Sequence, residues 1–164
     1  IIDKPDIIKG LGSKNFDSEG GKSETINLVK EGVLKSYLVD TYNGRKLNLK
    51  SNGRSGGTTN LYFENGNQSY DELLKMNSKC IYITETIGHG SNLVTGDYSV
   101  GATGFLVENG QFKYPINEIT IAGNFKDMFK RIFLANDLDF EYSTNSPTMM
   151  IEGMTVAGKW VVFV

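Results

Sequence analysis

Only one cysteine, Cys80, stands among the 164 residues, so no internal disulfide can form, and a chain folded without one suits a reducing, cytoplasmic compartment. Histidine is equally scarce: His89 has no second imidazole in the chain with which to share a metal. No stretch approaches the run of about 20 apolar residues that a membrane-crossing helix needs. The start IIDKPDIIKG has neither the basic segment nor the apolar run and cleavage site of a secretory leader, so a soluble protein with no membrane partner is expected. Charge of one sign is lacking too, since a formal net charge of −2 removes the electrostatic reason to expect nucleic acid. What is present is 39% hydrophobic and 11% aromatic residues, over a length that suits one ordinary domain and excludes a disordered tail.

Alternation and turn signals dominate, which predicts mostly strands. Residues 25–29 and 33–39 flank Glu31-Gly32 and read as a hairpin. A clearer one flanks Asn109-Gly110, the dipeptide suited to a type I′ turn, with strands over 104–108 and 111–115. Further strands are expected at 60–63, 81–85, 119–122, 148–151 and 155–164. Two short helices interrupt them. Ser69 with Glu72 has capping-box spacing, with Asn77 closing about two turns. The other begins at Asn124, carrying Met128, Phe129, Ile132 and Phe133 at helical spacing, with Lys126, Lys130 and Arg131 on its solvated face. Residues 45–59 read as a polar, glycine- and serine-rich loop. The expected fold is a mostly β domain, a curved antiparallel sheet or barrel-like structure with two short helices.

Residues 84–124 hold Gly88, Gly90, Gly96, Gly101, Gly104, Gly110 and Gly123 among polar and buried-type apolar residues. An ordinary sheet pattern needs few such positions, so the segment reads as a surface where backbone meets something else. Its glycines do not make a nucleotide loop, because neither Gly88-His89-Gly90 nor Gly101-Ala102-Thr103-Gly104 is followed by the lysine or the helix that such a loop needs.

Within this segment Thr84-Glu85-Thr86-Ile87-Gly88-His89-Gly90-Ser91-Asn92, Thr95-Gly96-Asp97-Tyr98-Ser99, Gly101-Ala102-Thr103-Gly104-Phe105, Val107-Glu108-Asn109-Gly110, Tyr114-Pro115 and Glu118-Ile119-Thr120-Ile121-Ala122-Gly123-Asn124 run in order, followed by Lys126-Asp127-Met128. These residues resemble the PmbA/TldD family, historically called modulators of DNA gyrase or peptide-maturation proteins, and within it the PmbA (TldE) branch. Weaker similarity extends to Phe16-Asp17-Ser18-Glu19-Gly20 and to Met154-Thr155-Val156-Ala157-Gly158. The resemblance implies a carboxy-terminal domain spanning 1–164, preceded in full-length members by an amino-terminal half, and the apolar end Trp160 to Val164 is not part of the family pattern. It also implies a subunit that pairs with a TldD-like paralogue in a cytoplasmic peptidase degrading unfolded peptides or trimming modified peptide precursors. Self-association as a homodimer is left open. The gyrase of the historical name finds no support in the charge.

TldD-type members resemble metallopeptidases with a HExxxH helix, whose histidines hold zinc while the glutamate activates water. That segment would lie upstream of Phe16, and residues 143–147, where TldD-type members carry a further cysteine ligand, contain no cysteine. No metal or other cofactor is therefore expected in this chain, and zinc is expected in the partner. The surface meeting substrate or partner is assigned to Glu85, Gly88, His89, Gly90, Asn92, Thr95, Gly96, Asp97, Ser99, Gly101 and Gly104, with no catalytic residue among them. Gly101 and Gly104 are expected where backbones approach closely, in contrast to an exposed Gly66.

His89, flanked by glycines, could serve as a general base, but a loop histidine bonded to backbone is the better reading. Glu85, Asp97 and Glu118 are the carboxylates an acid/base hydrolase would use. The plainer expectation is that Asp97 makes an Asx-type turn while Glu85 ends a strand and Glu118 begins one. Cys80 reads as a buried small residue. Two rivals remain: a non-enzymatic interaction module, and an independent hydrolase using Glu85 or Asp97.

Overall fold

Asn109 and Gly110 adopt φ of 51° and 76°, the left-handed pair that a type I′ turn demands, and the two longest strands grow from them. A computed structural model describes residues 1–158. In chain order these form β1 (Ile2–Lys4), β2 (Ile26–Asn27), β3 (Val29–Lys30), β4 (Val33–Leu34), α1 (Thr41–Leu47), β5 (Asn60–Tyr62), α2 (Tyr70–Met76), β6 (Lys79–Ile87), β7 (Asp97–Glu108), β8 (Gln111–Asn124), α3 (Phe125–Met128), β9 (Ile132–Leu134), β10 (Thr144–Asn145), β11 (Met149–Ile151) and β12 (Thr155–Gly158). They divide into two units, one of residues 1–65 with 137–147, the other of 66–136 with the residues from 148 onward.

The second unit is built on an antiparallel sheet ordered β12-β8-β7-β6. Its buried face gathers Val100, Ala102, Leu106, Ile116, Ile119 and Ile121. Three bulges interrupt the ladder, at Thr84, opposite Thr103 and opposite Leu106, each adding twist and bend to its strand. The sheet is open, with β6 and β12 as its edges, so the curved-sheet expectation holds and the barrel alternative does not. Glu118 sits inside β8, at the bulge facing Thr103 and with φ 53°, rather than at a strand start. α2 begins as its sequence requires: Glu72 N–H donates to Ser69 Oγ, and Ser69 N–H donates back to Glu72 Oε2 at 2.7 Å. Asn77 caps its far end.

α3 is only four residues long and stops at Met128. The expected continuation through Ile132 and Phe133 is instead β9, paired antiparallel with β11. An apolar i, i+4 spacing marks a buried helix face or a strand with equal ease when the run is short, and here cross-strand pairing wins. Lys130 and Arg131 are exposed but lie beyond the helix. The expected strand over 155–164 is present as β12, and its part beyond Gly158 lies outside the described residues.

The first unit is organised by hydrogen bonds more than by apolar contact. Its sheet runs β10-β5-β1-β2, and Asp3 in β1 is fully buried against Arg54. Asp3 Oδ1 also accepts from Thr59 N–H at 2.8 Å and Thr59 Oγ1–H at 2.7 Å. Asp17 accepts from the backbone N–H groups of Ser55, Gly21 and Glu19, and the Ser55 bond leads in holding its carboxyl below the ordinary range. Glu19 accepts from Thr41 N–H and Oγ1, both at 2.9 Å, so the 16–20 motif fastens both the 51–55 loop and the start of α1.

The hairpin around Glu31 and Gly32 forms, with φ of 53° and 74°, but only over β3 and β4. β2 pairs with β1 instead, and beyond Leu34 the chain leaves the ladder as the Lys35 and Ser36 N–H groups both turn to the Leu28 carbonyl. α1 is a third helix where sequence indicated a loop from residue 45. Asp40 caps it by accepting from Asn43 N–H at 2.6 Å, and Asn48 ends it in the left-handed region. Gly44 does not break it, because that position is buried, and an added Cβ would lie 2.8 Å from the Leu49 carbonyl oxygen.

Candidate functional site

β6 ends at Ile87 and β7 begins at Asp97, leaving residues 88–96 as the loop that carries most of the expected surface. Gly88 takes φ 89° and Gly96 φ 84°, values that L side chains rarely adopt, so the loop turns at both ends where only glycine does so without strain. Between them Asn92 Oδ1 accepts from the N–H groups of Val94, at 3.0 Å, and Thr95, at 3.2 Å. Asn92 N–H donates to the Asp97 carbonyl, and Ser99 N–H donates to that of Gly90, both at 2.8 Å. Asn92, rather than Asp97, is therefore the Asx-type turn residue.

Asp97 has a different task. Thr95 Oγ1–H donates to its Oδ2 at 2.7 Å and Asn124 Nδ2–H to its Oδ1 at 3.0 Å. The Thr95 bond, followed by that of Asn124, holds the carboxyl below the ordinary aspartate range. Asn124 donates also to the Thr95 carbonyl, at 3.2 Å, and Phe125 N–H donates to that of Gly96, at 2.8 Å. One network thus binds the loop to the junction of β8 and α3. Asn124 escaped the expected site residues. Its signal was the N-cap position before α3, where its Oδ1 accepts from Lys126 N–H.

Glu85, Gly88, His89, Asn92, Thr95, Asp97 and Ser99 are all exposed. Glu85 pairs with Thr103 across β6 and β7, and Thr103 faces the bulge that holds Glu118. These two carboxylates therefore share one level of the sheet, two strand spacings or about 10 Å apart at the backbone. Asp97 lies six residues along β7, about 20 Å from that level at the rise of an extended strand. That is well beyond the separation across which a carboxylate pair can divide acid and base work. No group of three or more histidine, cysteine, aspartate or glutamate side chains able to hold a metal occurs among the described residues. Cys80 is half-buried in β6, and burial raises its thiol pKa, which disfavours the reactive thiolate.

The two strand glycines differ. A Cβ on Gly104 would collide with the Tyr82 carbonyl oxygen, whereas one on Gly101 would rest 3.6 Å from Ile87 in ordinary contact. Gly90 is tight against the Ser99 carbonyl, and Gly66 against that of Leu134, so Gly66 is not the open position its sequence surroundings indicate. Sequence reasoning also passed over Leu93 and Val94, which the loop exposes almost completely, at 87% and 96%. Their position between Asn92 and Thr95-Gly96, inside a turn, was the available sign.

Comparison with known proteins agrees with this architecture. A family model described as the PmbA/TldA metallopeptidase C-terminal domain matches residues 1–158. A protein named Metalloprotease PmbA homolog, from Buchnera aphidicola subsp. Baizongia pistaciae, is 46% identical over 160 residues, covering 96% of this chain and 36% of its own length. The Metalloprotease PmbA of Escherichia coli O157:H7 is 41% identical, over 97% of this chain and 36% of its own. The chain thus spans about a third of the length of the curated relatives it matches. Among solved structures, a putative modulator of a DNA gyrase from Thermotoga maritima aligns with a TM-score of 0.87 at 35% identity, covering 95% of this chain and 38% of that one. TldE from Thermococcus kodakarensis aligns with a TM-score of 0.79 over 96% of this chain and 39% of its own, at 23% identity, a likeness of fold alone. On sequence and on fold, this chain belongs to the PmbA/TldD family and matches its C-terminal domain.

Proposed function

We propose that this chain is part of a PmbA/TldE-type subunit that brings no metal of its own and works with a TldD-like paralogue, which holds zinc, in a cytoplasmic peptidase acting on unfolded or modified peptides. One observation carries the reading: among the described residues, the 84–124 signature supplies no ligand set for zinc. Its single imidazole, His89, stands exposed on a loop in a chain with no second histidine, against the three or four ligands a zinc site uses. Asp97 has both oxygens engaged in holding that loop. The signature therefore builds a fixed surface, and the residues from Glu85 to Gly104 named above serve assembly or substrate contact. The rival reading as a separate carboxylate hydrolase loses Asp97 as a partner for Glu85, because of the distance along β7.

The test mixes the full-length form of this protein with its TldD-like paralogue. The expected result is a hetero-oligomer that cleaves peptides in a chelator-sensitive way, with neither subunit active alone. His89→Ala in the mixture is expected to lower the rate by far less than the 10²-fold or more typical of a general base. Cleavage by the full-length protein alone, at the rate of the mixture and with chelator present, would sink the proposal.

A further inference from the structure

Strand register in the second unit fixes what stands on the outer face of its sheet. Val100, Ala102 and Leu106 lie in the core, so the alternate residues of β7, among them Ser99, Gly101, Thr103, Phe105 and Val107, stand on the opposite face. Their cross-strand partners stand with them: Phe112 beside Val107, Tyr82 beside Phe105, Thr120 beside Gly101 and Ala122 beside Ser99. Ile116 and Ile119 are both core residues, so the bulge between them turns Asn117 and Glu118 alike to the outer face. The bulge at Thr84 does the same on β6. Ile83 packs against the core and Thr86 pairs with Ala102, which leaves Thr84 and Glu85 outward.

Two regions of different chemistry adjoin on that face. Phe105 and Phe112 are 37% and 48% exposed, and with Tyr82 they form one cluster, the ring centroids 5.7 Å apart between the phenylalanines and 5.3 Å apart between Phe112 and Tyr82. Tyr70, the first residue of α2, packs on Tyr82 at 6.2 Å and bounds the cluster. One row further along, Glu85 and Glu118 flank Thr103. Both are exposed, and neither has a cationic partner among the described residues. Beyond them Ser99, Gly101, Thr120 and Ala122 present no side chain larger than a threonine, so another chain can lie close against the sheet.

We propose that this face binds an extended peptide segment that carries an aromatic or large aliphatic side chain and, two positions away, a lysine or arginine. It rests on the reading of the 84–124 signature as a surface that meets peptide substrate, and names the class of peptide. Charge selects the partner: two unanswered carboxylates beside an apolar cluster favour a base next to an apolar side chain and repel an acidic one. Spacing comes from the strands, because neighbouring rows on one face lie about 7 Å apart, as alternate side chains of an extended peptide do. Size favours a segment over a second folded subunit. From the row of Phe105 to that of Ser99 the face is about 20 Å long and, over four strands, about 15 Å wide, roughly 300 Å², whereas a stable protein interface takes about 800 Å² from each partner.

The experiment uses the full-length protein, purified alone, and three fluorescein-labelled peptides of glycine and serine that carry Phe-Ser-Lys, Phe-Ser-Glu or Ser-Ser-Lys at their centre. Fluorescence anisotropy reads the binding of each. The Phe-Ser-Lys peptide is expected to bind at least fivefold more tightly than either of the others. Its advantage over Phe-Ser-Glu should fall below twofold when Glu85→Gln and Glu118→Gln are combined, and its advantage over Ser-Ser-Lys should do so in Phe112→Ala. The comparison of the three peptides on the unsubstituted protein stands whether or not a variant folds. Equal affinities, no binding of any peptide, or a preference that folded variants leave untouched would overturn the proposal. So would loss of binding when the TldD-like paralogue is added, which would assign the face to contact between subunits. Binding is read without cleavage, so the two readings fail separately: selection by the protein alone with no cleavage by the mixture sinks only the paired-subunit reading, and cleavage by the mixture without selection sinks only this one.

Discussion

Asp97 opens β7 with both carboxylate oxygens accepting hydrogen bonds from neutral donors, Thr95 and Asn124. Its depressed pKa means that the bonds favour the ionised form, so their contribution is present above the unfolded-state pKa and is lost as pH falls through the lower folded value. A carboxyl-detected NMR titration should place the Asp97 midpoint below that of a free aspartate, and Asn124→Ala should move it upward. An unchanged midpoint in that variant would mean that Asn124 does not act on the carboxylate. The glycines of β7 give a second test on the same scale. Gly104→Ala puts a methyl group into the Tyr82 carbonyl and should cost roughly 1–3 kcal/mol, as overpacking does. Gly101→Ala meets only ordinary contact with Ile87 and should stay within about 0.5 kcal/mol. Urea midpoints of the two variants should separate clearly, and coincident midpoints would refute the assigned packing.

Among the elements, α2 shows how far local chemistry reaches. Ser69 and Glu72 close their box reciprocally, and the backbone bond to Ser69 leads in lowering the Glu72 pKa. Ser69→Ala keeps that backbone bond but loses the hydroxyl, which accepts from Glu72 N–H and donates to Glu72 Oε2, and should destabilise the protein by about 1 kcal/mol at neutral pH. Part of the loss should fade as pH falls from the ordinary glutamate range through the lower folded value, because the hydroxyl bond, the second cause of the lowered Glu72 pKa, favours the ionised carboxylate. Thermal melts across that range measure it, and a pH-independent difference would count against the box. α2 and the Asn109-Gly110 hairpin were legible in sequence because each is specified by residues three or fewer positions apart. α1 and β9 were not. The helix depends on Gly44 fitting beneath Leu49, and the strand on Met149, Met150 and Ile151 arriving from far along the chain to pair with it.

Across the whole molecule the two units hold themselves together by different means. Among the described residues, every buried polar or charged side chain belongs to the first unit, and every buried apolar one except Val39 and the prolines Pro5 and Pro147 belongs to the second. The first unit is therefore sensitive to the loss of single partners. Asp3→Ala leaves the Arg54 guanidinium buried without its carboxylate and should cost roughly 3–5 kcal/mol. Hydrogen exchange should show that loss first in the amides of β1 and β5. A variant as stable as the parent would mean that the pair is replaceable by solvent. Such a core has no hydrophobic period to read. The ties that make it, Asp3 to Arg54 and Thr59, and Asp17 to Ser55, span 38 to 56 positions.

The sequence by itself determined the family, the mostly β character, the Asn109-Gly110 turn with the strand segments beside it and the shortage of metal ligands, because each rests on residue identity or on spacings of a few positions. Tertiary structure alone decided that Asn124 locks the loop, that Leu93 and Val94 stand at its exposed turn, that Gly66 is tight and Gly101 is not, and that Asp97 lies far along the sheet from Glu85. Those are consequences of which strands become neighbours and in what register. Three bulges set that register in the second unit, and a bulge is written in no single residue, since it records which of two strands has the extra one.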